Sequence, residues 1–468
     1  MNELFKKGTR VYCLGIGGIG LSAAAQWLNE LGIEVSGSDN SESVVMEMLR
    51  KQGIDANADP GCMRVPDGIA ALIYSDAVPF AHPVRANARL AGVRELNYAE
   101  TLGILTKNYR CVAVAGSHGK STTTALIGHI LTEIGTDPTV VVGTKVPSLG
   151  DVNFRFGKSD VVVVEADEYR SHFLQLKPNV CIVTNIDHDH VDVFPTKESY
   201  ADAYNKFVEK IEKGGDLILR SSDPYTADLS QRRSDLAVKT FDIESKFNNK
   251  IKSENKLVVR NSFYKEGRQY FSISIDGIDH GEFNIAFPGE HLLLDAVAAV
   301  AAIMRFTKNL EKVRSAMASF KGTWRRFERV GTFKGAEVIS DYAHHPTEVR
   351  ALLLGARQSF PNKKIKIIFQ PHQGSRAQAF GADFVDALTL ADEIILVEVF
   401  SVAGREDATS RVTDRHWVDA LVKLDKKACF AETLERADEF IHGNTNQDDV
   451  LLFVGAGSID QLARKIVL

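Results

Sequence analysis

The segment from Cys111 to Thr124, CVAVAGSHGKSTTT, constrains the fold of this chain more than any other. An apolar, β-branched run ends in Gly116-Ser-His-Gly-Lys-Ser121, and a helical pattern follows directly. Small residues let backbone N–H groups turn towards an anion, and the N-terminus of the following helix favours negative charge. Lys120 adds a full positive charge, and Ser121 offers a hydroxyl to Mg²⁺. The segment predicts a nucleotide phosphate loop rather than an ordinary strand–turn–helix unit.

The match is a shortened form of the loop, because Val114 stands where the full pattern has a second glycine. The residues expected to hold the nucleotide phosphates are Gly116, Ser117, His118, Gly119, Lys120, Ser121 and Thr122.

A chain of 468 residues is too long for one core, and we expect three domains: residues 1–106, 107–322 and 323–468. In each, short apolar runs alternate with helical patterns, which predicts an α/β fold with doubly wound, mainly parallel sheets. Residues near 238–285 alternate polar and apolar over short runs separated by turns. This pattern predicts a small antiparallel sheet added to the central domain.

The composition is that of an ordinary soluble protein, with 44% hydrophobic and 25% charged residues. The net charge of -5 argues against a dedicated nucleic-acid binder. No apolar run reaches the 18 residues of a membrane span, so no membrane association is expected. The five cysteines form no CxxC motif, which indicates neither zinc nor a disulfide framework and favours a reducing cytoplasm.

A glycine turn follows the first predicted strand. Gly15, Gly17, Gly18 and Gly20 form GxGxxG before a helix, and Asp39 ends the next strand. In such a turn the helix N-terminus holds a diphosphate and the acid holds a ribose hydroxyl. The pattern specifies a diphosphate but not a nicotinamide, so a dinucleotide, a sugar nucleotide and an empty βα turn all stay open.

Acidic residues follow the apolar run VVVV in the central domain. Glu165 comes directly after it, where phosphate-loop enzymes place an acid that binds Mg²⁺. Asp167 and Glu168 follow, and they could belong to the site or form a solvated strand end.

A second polar cluster, TNIDHDHVD, spans residues 184–192 at the end of another strand. Carboxylates and imidazoles at this density favour a site for a hard cation or for phosphate, with Asp189 and His190 as the strongest candidates. Surface polarity is the alternative explanation.

Polar residues also cluster in the third domain. TWRRFE places Arg325 and Arg326 at the domain junction, from which a guanidinium could reach a γ-phosphate. DYAHHP and FQPHQGSR end two strands and contribute Asp341, Tyr342, His344, His345, His372 and Arg376. A lone histidine is usually structural, but ligands bind at the C-terminal edge of parallel sheets, and two clusters on one edge predict a site.

Taken together, these segments resemble the Mur ligase family, ATP-dependent enzymes that build the peptide of the bacterial cell-wall precursor. The resemblance covers nearly the whole chain through GIGGIGLS, SGSD, GSHGKSTTT, VEADE, TNIDHDH, RRFE, DYAHHPTE, FQPH and VGAGSI. It implies a UDP-substrate domain, a central ATPase and a C-terminal domain that admits the amino acid.

The resemblance assigns roles to these residues. It implies a UDP-substrate site of Gly15, Gly17, Gly18, Ile19, Gly20, Asp39 and Ser75, and nucleotide contacts from His291 and Asp295 in addition to the phosphate loop. It implies metal ligation by Ser121, Glu165 and His190. The implied catalytic residues are Lys120, Glu165, His190, Arg326 and His344, and the implied amino-acid site is Tyr342, His344, His345, His372 and Arg376.

The implied reaction joins L-alanine to the carboxylate of UDP-N-acetylmuramate through an acyl phosphate, with ATP and two Mg²⁺ ions, for which Mn²⁺ is an alternative. Recycling of a murein tripeptide and use of another small amino acid stay open. A monomer or weak homodimer is expected, and two other classes, a dehydrogenase and an ATPase switch without ligation, remain to be distinguished.

Three departures from the family pattern bear on these expectations. Gln373 stands where alanine-adding enzymes usually have an arginine. Leu292 and Asp295 replace two asparagines near the adenine, which leaves the choice of purine open. Asp167-Glu-Tyr-Arg170 replaces the usual DESD and is closer to the murein tripeptide ligase.

Overall fold

The computed structural model describes residues 3–400 and 413–468, which form three β-sheets flanked by helices. The α/β fold class and the three-domain arrangement predicted from the sequence are confirmed. No helix in the described part of the chain is long and apolar enough to cross a membrane.

The first sheet is fully parallel and has the strand order β3-β2-β1-β4-β5. Its strands are β1 (Arg10–Leu14), β2 (Glu34–Asp39), β3 (Asp55–Ala58), β4 (Ala71–Tyr74) and β5 (Arg94–Asn97). Its helices are α1 (Ile19–Glu30), α2 (Val44–Lys51), α3 (Pro83–Leu90) and α4 (Tyr98–Thr106). The strand order reverses direction at β1, so the glycine turn after β1 lies at the point where such sheets bind ligands.

The second sheet has ten strands: β6 (Arg110–Ala115), β7 (Thr139–Val146), β8 (Val152–Arg155), β9 (Val161–Glu165), β10 (Val180–Val183), β11 (Asp216–Arg220), β12 (Ala237–Ile243), β13 (Asn255–Lys265), β14 (Arg268–Ile275) and β15 (Ile278–Ile285). Their order is β15-β14-β13-β12-β11-β10-β6-β9-β7-β8. The helices are α5 (Lys120–Glu133), α6 (Lys197–Val208), α7 (Thr226–Gln231), α8 (Glu290–Ile303) and α9 (Leu310–Ser319).

The antiparallel addition is smaller than the sequence pattern indicates. β13, β14 and β15 pair antiparallel as expected, but β12 pairs parallel with both β11 and β13. β12 is buried along five of its seven residues, so it is an interior strand of the main sheet. Because alternation in sequence does not reveal the pairing partner, the prediction for this strand was wrong.

The third sheet has the order β16-β17-β21-β18-β19-β20 and is parallel except for β16. Its strands are β16 (Glu328–Phe333), β17 (Ala336–Asp341), β18 (Lys364–Phe369), β19 (Glu393–Val397), β20 (Lys427–Glu432) and β21 (Asp449–Val454). Its helices are α10 (Pro346–Ser359), α11 (Gly374–Ala379), α12 (Gly381–Leu388), α13 (Thr413–Lys423), α14 (Leu434–Asn444) and α15 (Ile459–Ile466).

The first two sheets share a hydrophobic core. Buried Trp27 of α1 packs against Phe154 of β8, with ring centroids 6.0 Å apart. Beside them Gln26 Nε2 donates to Asn153 Oδ1 at 3.0 Å, and both residues are buried. Among the described residues, the apolar clusters of the third sheet contain only residues from 327 onwards. The third unit therefore meets the other two mainly through polar side chains.

Candidate active site

The phosphate loop connects β6 to α5, as the sequence predicts. Gly119 adopts a φ of +83°, a left-handed conformation that glycine accepts without strain. Lys120 Nζ donates to the carbonyl oxygens of Gly116 at 2.6 Å and Ser117 at 3.1 Å. These bonds hold the ammonium group over the loop, where it would meet the phosphates of a nucleotide.

Residues at the end of β10 fix the shape of the loop. β10 pairs parallel with β6, so the carboxyl ends of both strands lie at the same edge of the sheet. Thr184 Oγ1 donates to the carbonyl of His118 at 2.6 Å, and Asn185 Oδ1 accepts from the N–H of His118 at 3.0 Å. The start of the TNIDHDHVD cluster is thus part of the phosphate site.

Glu165 lies beside the first turn of α5, where the sequence predicts a metal ligand. Its Oε1 accepts from Ser121 Oγ at 2.9 Å, and its Oε2 accepts from the N–H of Gly143 at 2.6 Å. Burial raises the pKa of Glu165, and nearby Lys120 partly offsets that rise. A carboxylate and a hydroxyl in contact at the phosphate edge are suitable ligands for Mg²⁺.

Glu168 is not part of a solvated strand end, because it is completely buried. Its Oε2 lies 2.8 Å from Lys120 Nζ, and its Oε1 accepts from the hydroxyl of Tyr200 at 3.2 Å. Sequence reasoning left this residue undecided. The sequence does place Glu168 only three residues after Glu165, and this proximity is the one feature that could have indicated a role at the phosphate loop.

Asp167, Glu168 and His190 form a group that we call the acid cluster. One potential ligand atom from each lies within 4.8 Å of the others. His190 Nδ1 is buried and has no hydrogen-bond partner in the structure, whereas Glu168 Oε2 is paired with Lys120 Nζ. Two carboxylates and an imidazole with one unpaired buried nitrogen fit a divalent cation. The structure therefore brings His190 to Glu168 and Asp167, while Ser121 is in contact with Glu165.

A cavity of about 470 Å³ opens from the phosphate loop towards the third unit. His291 and Asp295 of α8 and Arg326 of the domain junction line it. Burial raises the pKa of Asp295 from 3.8 to about 7. Burial lowers the pKa of His291 to about 4, so this imidazole is neutral at pH 7.

Glu348, in the first turn of α10, was missed by sequence reasoning and lies at the centre of the interface. Its Oε1 is 3.3 Å from His118 Nδ1 and 3.5 Å from Arg326 Nη1. Its Oε2 is 3.2 Å from His344 Nδ1. Burial would raise the pKa of Glu348, but these neighbours hold it well below its ordinary value.

His118 also joins the central and third units through Asp187. His118 Nε2 lies 2.9 Å from Asp187 Oδ2, which accepts from Thr347 Oγ1 at 2.6 Å. Burial would lower the pKa of His118, but Asp187 and Glu348 raise it to about 9. His345 Nδ1 lies 3.5 Å from the same Asp187 oxygen, so this histidine faces the phosphate loop.

The other predicted amino-acid residues lie together at the edge of the third sheet. The ring of His344 is 5.4 Å from that of Tyr342 and 5.8 Å from that of His372. Arg376 is buried, and its Nη2 lies 2.8 Å from Asp189 Oδ1. In this structure the Arg376 guanidinium therefore pairs with the central unit.

The two junction arginines differ in their contacts. Arg326 lines the cavity, whereas the Arg325 guanidinium donates to the carbonyl oxygens of Gly455 and Gly457 in its own unit. Arg325 does not reach towards the phosphate loop as the sequence suggested. Its role here is to fix the loop after β21 to the start of the third unit.

The glycine turn after β1 is closed by Asp39. The N–H of Gly17 donates to Asp39 Oδ2 at 2.9 Å. Gly15 has a φ of +84°, and an added Cβ there would lie 2.8 Å from Ser75 Cβ. The seven predicted residues occupy this turn, the first turn of α1 and the ends of β2 and β4: Gly15, Gly17, Gly18, Ile19, Gly20, Asp39 and Ser75.

Comparison with known proteins agrees with this arrangement. Residues 10–110 match the Mur ligase family catalytic domain, residues 114–303 the Mur ligase middle domain, and residues 325–457 the Mur ligase, glutamate ligase domain. The chain is 33% identical to the UDP-N-acetylmuramate--L-alanine ligase of Caldanaerobacter subterraneus subsp. tengcongensis, over 99% of this chain and 98% of the relative. The chain belongs to the Mur ligase family.

Solved structures of Mur ligases show the same architecture. The UDP-N-acetylmuramate-alanine ligase of Thermotoga maritima superimposes with a TM-score of 0.82 and 30% identity, over 98% of both chains. A murein peptide ligase from Psychrobacter arcticus superimposes with a TM-score of 0.70 over 98% of both chains, at 19% identity. The second comparison shows the fold alone.

An ion-pair chain through His172 links the first two units of this Mur ligase. His172 Nε2 pairs with Asp76, which directly follows Ser75, and His172 Nδ1 lies 3.5 Å from Asp167 Oδ2. Burial would lower the pKa of His172, but Asp167 and Asp76 raise it to about 9. Sequence reasoning did not single out His172, although it lies two residues after the departure at Arg170.

Proposed function

We propose that this Mur ligase joins L-alanine to the carboxylate of UDP-N-acetylmuramate, with conversion of ATP to ADP and phosphate. The observation that carries the proposal is the cavity between the phosphate loop and the third unit. It places Arg326, Asp295 and Glu348 around one space next to Lys120 and the acid cluster. The full-length similarity to alanine-adding ligases supports the same substrates.

The proposed domain boundaries are 1–106, 107–322 and 323–468, with the UDP substrate, ATP and the amino acid bound by the three domains in that order. The glycine turn would hold the UDP diphosphate at the N-terminus of α1. Tyr342, His344, His345, His372 and Arg376 are proposed to form the amino-acid site.

The first chemical step is attack by the muramyl carboxylate on the γ-phosphate, which gives an acyl phosphate and ADP. Lys120 and Arg326 offset the negative charge that gathers around the transferred phosphoryl group. Ser121, Glu165 and the acid cluster would hold two Mg²⁺ ions, for which Mn²⁺ can substitute. When bound, these ions neutralise phosphate charge.

The second step is attack by the amine on the acyl phosphate, followed by departure of phosphate. Burial lowers the pKa of His344 to about 3, so its imidazole is neutral at pH 7. His344 Nδ1 lies 3.1 Å from the carbonyl oxygen of Tyr342 and 3.2 Å from Glu348 Oε2, which favours the proton on Nδ1. Nε2 is then the nitrogen that can orient the incoming amine by a hydrogen bond, while the lowered pKa makes His344 a poor base for the ammonium proton.

We also propose that the enzyme works in the cytoplasm as a monomer or weak homodimer, without nucleic-acid or membrane partners. The cysteine pattern and the negative net charge support this proposal.

The decisive assay measures phosphate release from ATP with UDP-N-acetylmuramate while the amino acid is varied. Release that depends on both UDP-N-acetylmuramate and L-alanine supports the proposal. Release only with a murein tripeptide selects the recycling activity, which Tyr169 in the ADEY segment favours. Release without UDP-N-acetylmuramate points to an ATPase switch, and release with glycine or serine but not alanine assigns a different amino acid at Gln373.

Glu165→Ala tests the metal assignment. Turnover should be lost while binding of the UDP substrate persists, because Glu165 contacts Ser121 and not the glycine turn. Glu133→Ala, at the exposed end of α5, the helix that carries Ser121, is the matched control. Equal loss of turnover and of UDP-substrate binding would show that Glu165 maintains the folded structure and does not act as a metal ligand.

A further inference from the structure

His172 lies where the glycine-turn domain meets the acid cluster. It belongs to a short 3-10 segment, Tyr169–Gln175, and its side chain is 13% exposed. One imidazole nitrogen pairs with Asp76, which follows Ser75 of the predicted UDP-substrate site. The other, Nδ1, is buried without a hydrogen bond and lies 3.5 Å from Asp167 Oδ2 of the acid cluster, within the range of an ion pair. A single side chain thus connects the two sites between which the muramyl carboxylate has to reach the γ-phosphate.

The local backbone and packing hold His172 in this place. Arg170 and Ser171 both adopt left-handed φ values, +49° and +59°, which turn the chain back towards the first unit. The ring of Tyr169 lies edge-on to His190 at 5.1 Å and to His172 at 6.0 Å. His172 is therefore packed against the acid cluster and is not a side chain that merely reaches it from solvent.

The ion pair with Asp76 is not needed to attach the first unit to the second. Buried Trp27 and Phe154 share one core. Asn153 Nδ2 donates to Ser22 Oγ at 3.0 Å, and Gln26 donates to Asn153. These contacts involve neither His172 nor Asp76, so we expect them to persist when His172 is replaced.

We propose that His172 is a positioning residue, which sets the separation between the sugar-nucleotide turn and the acid cluster through its two carboxylate contacts. The inference rests on the proposed function, because only a reaction between the two bound substrates makes that separation matter. A displacement of about 1 Å between reacting groups can cost about 100-fold in rate. Loss of His172 should therefore reduce kcat much more than it weakens the binding of either substrate alone.

Two variants separate the contacts of His172. Gln in His172→Gln can present its amide nitrogen near the place of Nε2 and retain the contact with Asp76. Asn in His172→Asn can present its amide nitrogen near the place of Nδ1 and retain the contact with Asp167. If both contacts are required, each variant should lower kcat at least 10-fold, with the KM for ATP within about twofold of wild type.

The control is His442→Gln. His442 is half-exposed and its Nδ1 lies 3.0 Å from Asp438 Oδ1 in the third unit, so removing that pair should leave kcat and both KM values unchanged. Asp76→Asn is then combined with His172→Gln. Since both replacements break the same bridge, the double variant should be no slower than the slower single variant.

Wild-type phosphate release that requires UDP-N-acetylmuramate and L-alanine is established first, and its absence would refute the proposed function instead of this inference. With that activity present, three results would overturn the role of His172: unchanged kcat in both variants, full activity in either variant alone, or additive losses in the double variant. A fall in thermal midpoint that accounts for the lost activity would make the residue structural.

Discussion

Replacement of Asp295 by asparagine should stabilise the protein, and more so at high pH. Asp295 is buried beside the phosphate loop, and burial raises its carboxyl pKa from 3.8 to about 7. Each pKa unit corresponds to about 1.4 kcal/mol, so keeping the ionised carboxylate in this place costs the folded state about 4 kcal/mol above pH 7. Asparagine has the same shape and no charge, and it is the residue that the family usually has here.

The direction of this pH dependence follows from the protons bound by the folded and unfolded chains. Well below pH 4 the carboxyl is protonated in both the folded and the unfolded chain, so its burial does not lower the free energy of unfolding. Between pH 4 and 7 only the unfolded chain releases the proton, so the cost reaches about 2 kcal/mol at pH 5 and its full value above pH 7. D295N should therefore exceed wild type in free energy of unfolding by about 2 kcal/mol more at pH 8 than at pH 5.

Calorimetric unfolding at pH 5 and pH 8 measures this difference. Asp419→Asn, at an exposed position of α13, is the control and should change stability little and equally at both pH values. Titration with ATP gives a second readout. Because phosphates bring further negative charge to the carboxylate, wild-type affinity should fall from pH 6 to pH 8 more steeply than that of D295N. An equal stability increment at both pH values would refute the reasoning.

Three other predictions follow from the interface and the loop. R376A leaves the Asp189 carboxylate buried without its cation. It should lower the free energy of unfolding, measured by urea titration, by about 3–5 kcal/mol. Replacement of both Arg376 and Asp189 by leucine should recover most of this loss. The pKa of His118 is raised from 6.5 to about 9, so its ion pairs stabilise the fold by about 3 kcal/mol below pH 6.5, and this contribution is lost as the pH rises through 9. H118Q should remove that pH dependence from the thermal midpoint. G119A forces a side chain into a left-handed turn and against the Asp295 carboxylate, and calorimetric titration should show at least a 10-fold loss of ATP affinity.

Local patterns were sufficient to predict the three α/β units, the strand–loop–helix form of residues 111–124, the glycine turn between β1 and α1, and the position of Glu165 at the end of β9. The phosphate loop and Glu165 both lie at the carboxyl ends of strands. Because β6, β9 and β10 pair in parallel, their carboxyl ends lie at the same edge of the sheet. Glu168 was undecided because its burial depends on Tyr200, which is 32 residues away in sequence. Glu348 reads in sequence as a helix-capping acid, and the structure shows that role as well, with its second oxygen shared with the interface. Pairing between distant elements, as in β12, cannot be read from a periodic pattern alone.

The shared core of the first two sheets has a consequence for cooperativity. Trp27 and Phe154 bury their apolar surface against each other across the boundary, so neither unit can lose its packing without exposing the other's interior. The third unit has closed apolar clusters of its own and meets the others through ion pairs such as Arg376 with Asp189. Heating should therefore melt the protein as two calorimetric bodies rather than three. Added salt or a change of pH should separate the unfolding transition of the third unit from that of the first two. The first two units should continue to unfold together under the same conditions.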